Sequence, residues 1–320
     1  MPYNSVISRN DAAALIPEEV SKEIIQELPK ASTIMKLGKR APDMARNQTR
    51  LPVLSALPTA YFVAGSTSAA GGLKQTTLAE WANKYFNAEE IACIVPIPEA
   101  VLDDADYDIW GEVKPLIAEA MGVVFDAAVM HGTNAPAAWP TDLVAAAIAA
   151  ANTVTIGTVG TDLYDDLLSE GGVISKVEDD GFMVTGNIAA VSFKAKLRGV
   201  RDDNQQPIFK RSMQDGTRYE LDGAPIEFPL NGAFDDTLVH LITGDFTKLL
   251  YTMRQDMTWK ILTEAVIQDA QGAIVYNLAQ QDMVALRCVM RIAWQVPNPI
   301  NRMQQVEASR YPFGVLVPAA

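Results

Sequence analysis

The chain is poor in the residues that usually carry chemistry. It has two histidines and two cysteines in 320 residues. His131 and His240 stand far apart and far from Cys93 and Cys288, so a zinc cluster is excluded as the organising element. Two cysteines make no disulfide framework. Each sits in an apolar run, IACIVPI and LRCVMRI, where the thiol reads as a small buried hydrophobe. No GxxxxGK[ST] phosphate loop and no GxSxG nucleophile elbow occur. Gly157 and Gly160 in TIGTVGTD lack the rest of a dinucleotide fingerprint. A long apolar run is missing too: LVAAAIAAA (143–151) is too short to span a bilayer, and MPYNSVISRNDAA carries no secretory core segment. The reading is a soluble chain with no membrane contact.

Positive charge is also scarce. Twenty-six Lys and Arg face 39 Asp and Glu, a formal charge of −13. Such a surface repels phosphate backbones and argues against a general grip on nucleic acid. The inversion is residues 30–50, where Lys30, Lys36, Lys39, Arg40, Arg46 and Arg50 meet Asp43 alone. This segment is read either as a solvated turn or as a surface that meets an acidic neighbour or enclosed DNA. The acidic run DDADYD resembles half of a calcium loop but fails the template. Counting from Asp104, Ile109 stands where Gly is needed and Pro115 where Glu is needed. Asp165–Asp166 and Asp235–Asp236 are neighbours in sequence, so their side chains diverge and do not make an acid/base pair.

What is present is a normal globular share of apolar residues, 49%, enough for a sizeable core. Residues 10–29 read as an amphipathic helix with Leu15, Val20, Ile24, Ile25 and Leu28 on one side and Pro29 at its end. LPVLSALPTAYFVAG (51–65) reads as a strand and GSTSAAGG (65–72) as a loop tip. Residues 73–102 return with strand-like alternation, and the whole is a long two-stranded excursion. Such a hairpin is marginal on its own in water. The strongest helix lies within 103–132, with Asp108 as N-cap, Gly132 as stop, and Pro115 expected to kink or shorten it. Helices follow at 141–151 and 161–172. A strand running into a helix spans 181–197, and a loop leads on from 201–209. Segments 221–230, 238–253, 259–267, 282–296 and 311–318 read as strands of one mixed sheet. The class is α+β, with strands concentrated in the second half.

The order of these segments resembles the major capsid proteins of tailed bacteriophages, with the Hong Kong 97 phage capsid fold. DAAALIPEEVSKEIIQEL resembles the family's N-terminal arm. The stretch from LPVLSALPTAYFVAG to KYFNAEEIACIVPIPEAVLDDA resembles its extended loop entering the long spine helix. VTGNIAAVSFKAKLRGVRDDNQQPIF, LDGAPIEF and ITGDF resemble the axial domain, with Gly244, Asp245 and Phe246 the most specific tripeptide. DMVALRCVMRIAWQV resembles a peripheral strand. The resemblance implies an N-terminal arm (1–30), a peripheral segment (31–50), an extended loop hairpin (51–100), a peripheral domain with the spine helix (101–150), an axial domain with a mixed sheet (151–255), peripheral strands (256–305) and a return to the axial domain (306–320).

It further implies a non-enzymatic shell subunit of an icosahedral head, made in the bacterial cytoplasm and assembled as hexamers and pentamers around double-stranded DNA. Its partners would be a portal protein and a separate scaffold or decoration protein; Met1 lies almost directly before the arm, so no long cleaved scaffold segment is expected. No catalytic, cofactor-binding or metal residue and no cofactor is assigned. Some relatives crosslink a loop lysine to a distant asparagine. Lys74, Lys84, Asn298 and Asn301 are the residues in question, with no motif that pairs them. An encapsulin-type compartment shares the fold and is one alternative; a soluble α+β enzyme is the other.

Overall fold

The computed structural model describes residues 32–61, 74, 76–104, 108–160, 162–200 and 219–319. The expected arm helix at 10–29, the loop tip at 65–72 and the loop at 201–209 lie outside them.

Two sheets share the chain. The first has four strands in the order β1 (Lys39–Arg40), β10 (Leu250–Leu262), β13 (Met283–Gln295) and β4 (Glu89–Pro98). The second has six, in the order β5 (Thr153–Thr155), β14 (Phe313–Val317), β9 (Leu241–Gly244), β6 (Gly186–Ala189), β8 (Ala224–Glu227) and β7 (Tyr219–Leu221). Two-stranded hairpins complete the strands: β2 (Gln48–Ala56) with β3 (Glu80–Asn87), and β11 (Val266–Gln268) with β12 (Ile274–Asn277). The helices are α1 (Thr33–Leu37), α2 (Glu99–Asp104), α3 (Ile109–His131), α4 (Leu143–Ala149), α5 (Leu163–Leu168), α6 (Val173–Asp179) and α7 (Phe193–Gly199).

Helix α3 is built as its sequence foretells at both ends. Asp108 accepts from Gly111 N at 3.1 Å, and Gly132 closes the helix in the left-handed region at φ 67°. Pro115 does not shorten it. The helix starts at Ile109 and runs through the proline to His131. Its buried residues, Ile117, Met121, Phe125, Ala128 and Val129, recur at three- and four-residue spacing and pack on Leu286, Cys288, Met290 and Ile292 of β13.

The single mixed sheet expected from 221–318 is in fact two. Segment 238–253 breaks where Gly244 ends β9. Asp245 then caps a 3₁₀ turn, accepting from Thr247 N at 3.0 Å, and the chain restarts as β10 in the other sheet. The close approach there requires glycine: a Cβ on Gly244 would stand 2.3 Å from the Pro312 carbonyl oxygen. Segment 259–267 likewise divides between β10 and β11.

The excursion from 51 to 102 is also corrected. Only β2 and β3 pair as a hairpin, Gln48 opposite Asn87 through Ala56 opposite Glu80. The next strand, β4, leaves it and pairs antiparallel with β13. The corner between them is held from outside. Ala88 is buried, its N–H donates to Asn47 O at 2.9 Å, and Trp139 Nε1 donates to Asn87 O at 3.1 Å.

Candidate assembly surfaces

Strands β6 and β9 are buried at every position, so the six-stranded sheet is covered on both faces by its own chain. The hairpin β2–β3 is different. Along β3 exposure alternates, with Ala82, Lys84 and Phe86 turned to the body, Val53 of β2 beside Ala82, and Trp81, Asn83 and Tyr85 turned out. Trp81 is 68% exposed and Leu78 66%. The second hairpin carries Val266, Ile274, Val275 and Tyr276, all exposed, Ile274 at 63%. Aromatic and β-branched residues are thus left in water on both hairpins.

The β2–β3 hairpin is fastened from its middle toward its far end to the segment that joins β13 to β14. Ile300 N donates to Leu54 O at 3.2 Å, Arg302 Nη2 to Pro58 O at 2.9 Å, and Lys84 pairs with Glu307 at 2.7 Å. Arg310, 3% exposed, organises that segment by donating to Asn298 Oδ1, Asn298 O and Gln304 O at 2.8–3.2 Å. Desolvation pushes its pKa down. The hairpin is thus held against its own chain on one side, while Trp81 and Tyr85 on the other side stay exposed.

A buried carboxylate ties the body together. Asp126 on α3 accepts from Ser32 Oγ, from Thr33 N at 2.8 Å, from Ile34 N at 3.3 Å and from Asn231 Nδ2 at 3.0 Å. It thus caps α1 across a long sequence separation and holds the turn after β8. Burial raises its pKa above the carboxylate range, against the lowering pull of these donors. Nothing in the local sequence VVFDAAV distinguishes this Asp from a solvated one. The available signal was its place on the apolar face of α3, four residues after Gly122.

The other residues singled out in the sequence are dispersed. His131 Nε2 accepts from Asp235 N at 3.1 Å, and burial holds its pKa down. His240 stacks on Phe193 and lies 2.9 Å from Lys196 Nζ. Asp166 is buried and accepts from Gly157 N and Val159 N, which explains the TIGTVG turn; Asp165 receives Ser169 Oγ. Asn298 and Asn301 are engaged with Arg310 O and Asp180 O, each at 2.6 Å. In the basic segment, Lys36 pairs with Glu227 and Arg40 with Asp43, so two of the cations expected to meet a neighbour have acidic partners inside the chain. Lys39, Arg46 and Arg50 have no ion pair among the described residues. Nor do three His, Cys, Asp or Glu side chains gather among those residues as a metal site would require. No described helix is long and apolar enough to cross a membrane.

The comparisons agree with this geometry. The Phage capsid family matches residues 12–301. The major capsid protein of Staphylococcus phage 80alpha is 29% identical over 299 residues, 92% of this chain and 86% of that protein. A solved chain from Microbacterium phage Oxtober96 is 38% identical with a TM-score of 0.84, covering 98% of this chain and 100% of that one. One from Mycobacterium phage Bobi is 31% identical with a TM-score of 0.83, covering 99% and 100%. At 16% identity, the capsid of a native GTA particle still shares the fold, with a TM-score of 0.66. With its covered six-stranded sheet, its exposed apolar hairpin residues and a family match over most of its length, this chain belongs to the phage capsid family.

Proposed function

We propose that the two outward hairpins are the contacts through which this subunit joins its neighbours. The chain is a bacteriophage major capsid protein, a structural component of the virion shell. The exposure of Trp81 carries the proposal. An indole ring holds roughly 200 Å². Covering the 68% left in water is worth about 3 kcal/mol. One such contact is weak, but closure of a symmetric shell multiplies it.

The finer reading is an icosahedral head of hexamers and pentamers around the double-stranded DNA of a tailed phage. In it the four-stranded sheet and α3 form the peripheral domain, the six-stranded sheet forms the axial domain, β2–β3 is the extended loop and residues 1–30 are the arm. The subunit is made in the host cytoplasm and meets a portal protein and a separate scaffold or decoration protein. Lys39, Arg46 and Arg50 remain to meet an acidic face. The net charge of −13 lets enclosed DNA lie against the shell without sticking. The function asks for no catalysis.

Negative-stain microscopy with light scattering tests this. Closed shells, or rings of five and six, are expected from the unaltered protein and are lost with Trp81→Glu. Particles filled with a co-purifying protein would favour an encapsulin-type compartment. A compact monomer under every condition, indifferent to Trp81→Glu, would overturn the reading.

A further inference from the structure

Register places Cys93 of β4 directly opposite Cys288 of β13. Residues so opposed in an antiparallel pair have Cα atoms about 4.5 to 5.5 Å apart. That lies inside the roughly 4.4 to 6.8 Å that a disulfide spans. Both side chains leave their strands on the face that packs against α3, where Cys288 S–H donates to Met121 Sδ at 3.7 Å. Both thiols are free. They differ in access: Cys288 is fully buried, and Cys93 is half-buried.

We propose that Cys93 and Cys288 are a reversible oxidation site, closing a cross-strand disulfide when the protein meets a two-electron oxidant of the peroxide class. The more accessible Cys93 reacts first. Its thiolate attacks one peroxide oxygen, the O–O bond breaks, and Cys93 becomes a sulfenic acid while hydroxide leaves and takes a proton as water. Cys288 then turns from Met121, giving up a weak S–H contact. Its sulfur attacks the sulfenic sulfur, the S–S bond forms, and a second water departs. Two thiols lose two hydrogens and one peroxide becomes two waters. Burial raises the Cys288 pKa, which makes the second step the slow one and speeds it in mild alkali.

The bond would act on strand pairing. In the four-stranded sheet β4 pairs on one side with β13 and stands at the sheet's edge. It also leads directly into α2. A covalent tie at mid-strand would stop β4 from peeling away. Cross-strand Cβ atoms must close by about 1 Å to reach disulfide geometry, a movement that an edge strand accommodates more readily than a central one.

Peptide mapping of the folded protein after hydrogen peroxide treatment and alkylation is the test. A peptide pair joined through Cys93 and Cys288, lighter by about 2 Da than the two thiol peptides and released by reductant, is expected. Cys288→Ser should leave Cys93 to accumulate as sulfenic and sulfinic acid, and urea should unfold the oxidised unaltered protein at a higher midpoint than the reduced form. Cys93 over-oxidising equally fast in the unaltered protein and in Cys288→Ser, with no joined peptide, would overturn the proposal.

Discussion

Strands β9 and β3 are comparable in apolar content and opposite in fate. LITG of β9 is buried at every residue, flanked by β14 and β6 and covered by the chain's own helices. EWANKYFN of β3 has a partner on one side only, and its largest side chain, Trp81, stands in water. The first region is stabilised inside one subunit. The second is covered by its own chain on the Phe86 face alone, and the face that carries Trp81 and Tyr85 has no such cover among the described residues. The lesson is that hydrophobicity by itself does not locate the core: β9 and β3 are told apart by what pairs on each side.

Mutations that cut into one region should leave the other's property untouched. The largest loss of subunit stability belongs to Asp126→Ala. It strands the donors at Thr33, Ile34 and Asn231 in a buried site and should cost about 3 to 4 kcal/mol, read from urea unfolding. Leu241→Ala, which opens a cavity in the six-stranded sheet, should cost about 3 kcal/mol. Gly244→Ala forces a Cβ onto Pro312 O and should cost about 2 kcal/mol. Lys84→Ala frees the partly exposed pair with Glu307 and should cost under about 1 kcal/mol. At the end of the series, Trp81→Glu should leave unfolding within about 0.5 kcal/mol of the parent and still abolish assembly in the light-scattering assay.

Asp126 also predicts a pH dependence. Its folded pKa is raised above the unfolded carboxylate value by burial. The protonated form is therefore bound more tightly by the folded state. The contribution is full below the ordinary carboxylate range and is lost as pH rises through the folded value. Asp126→Asn should flatten that part of the stability profile.

Much of this was legible in the sequence. Asp108 and Gly132 framed α3 because capping is local chemistry, and ITGDF stood out by its resemblance to the family's axial strands. The strand-to-helix passage at 181–197 was read as well, as β6 and α7. Pairing was not legible. The division of 238–253 between two sheets depends on Gly244 meeting Pro312 across the fold, and the departure of β4 from the hairpin depends on Trp139 gripping Asn87 from 52 residues away. The exposed hairpins were half legible: the marginal excursion was seen as a projection, while the second hairpin was read only as far as 259–267, as a strand of the mixed sheet. Asp126 looked like any acidic residue until its donors were seen.

Hydroxyl-radical footprinting of free and assembled protein tests the central claim most directly. Trp81, Tyr85, Ile274 and Tyr276 should be oxidised readily in the free subunit and protected in assembled particles, while buried Phe193 and Phe313 stay protected in both. Equal labelling of the hairpin residues before and after assembly would contradict the account, since the projections would then remain in water inside the finished shell.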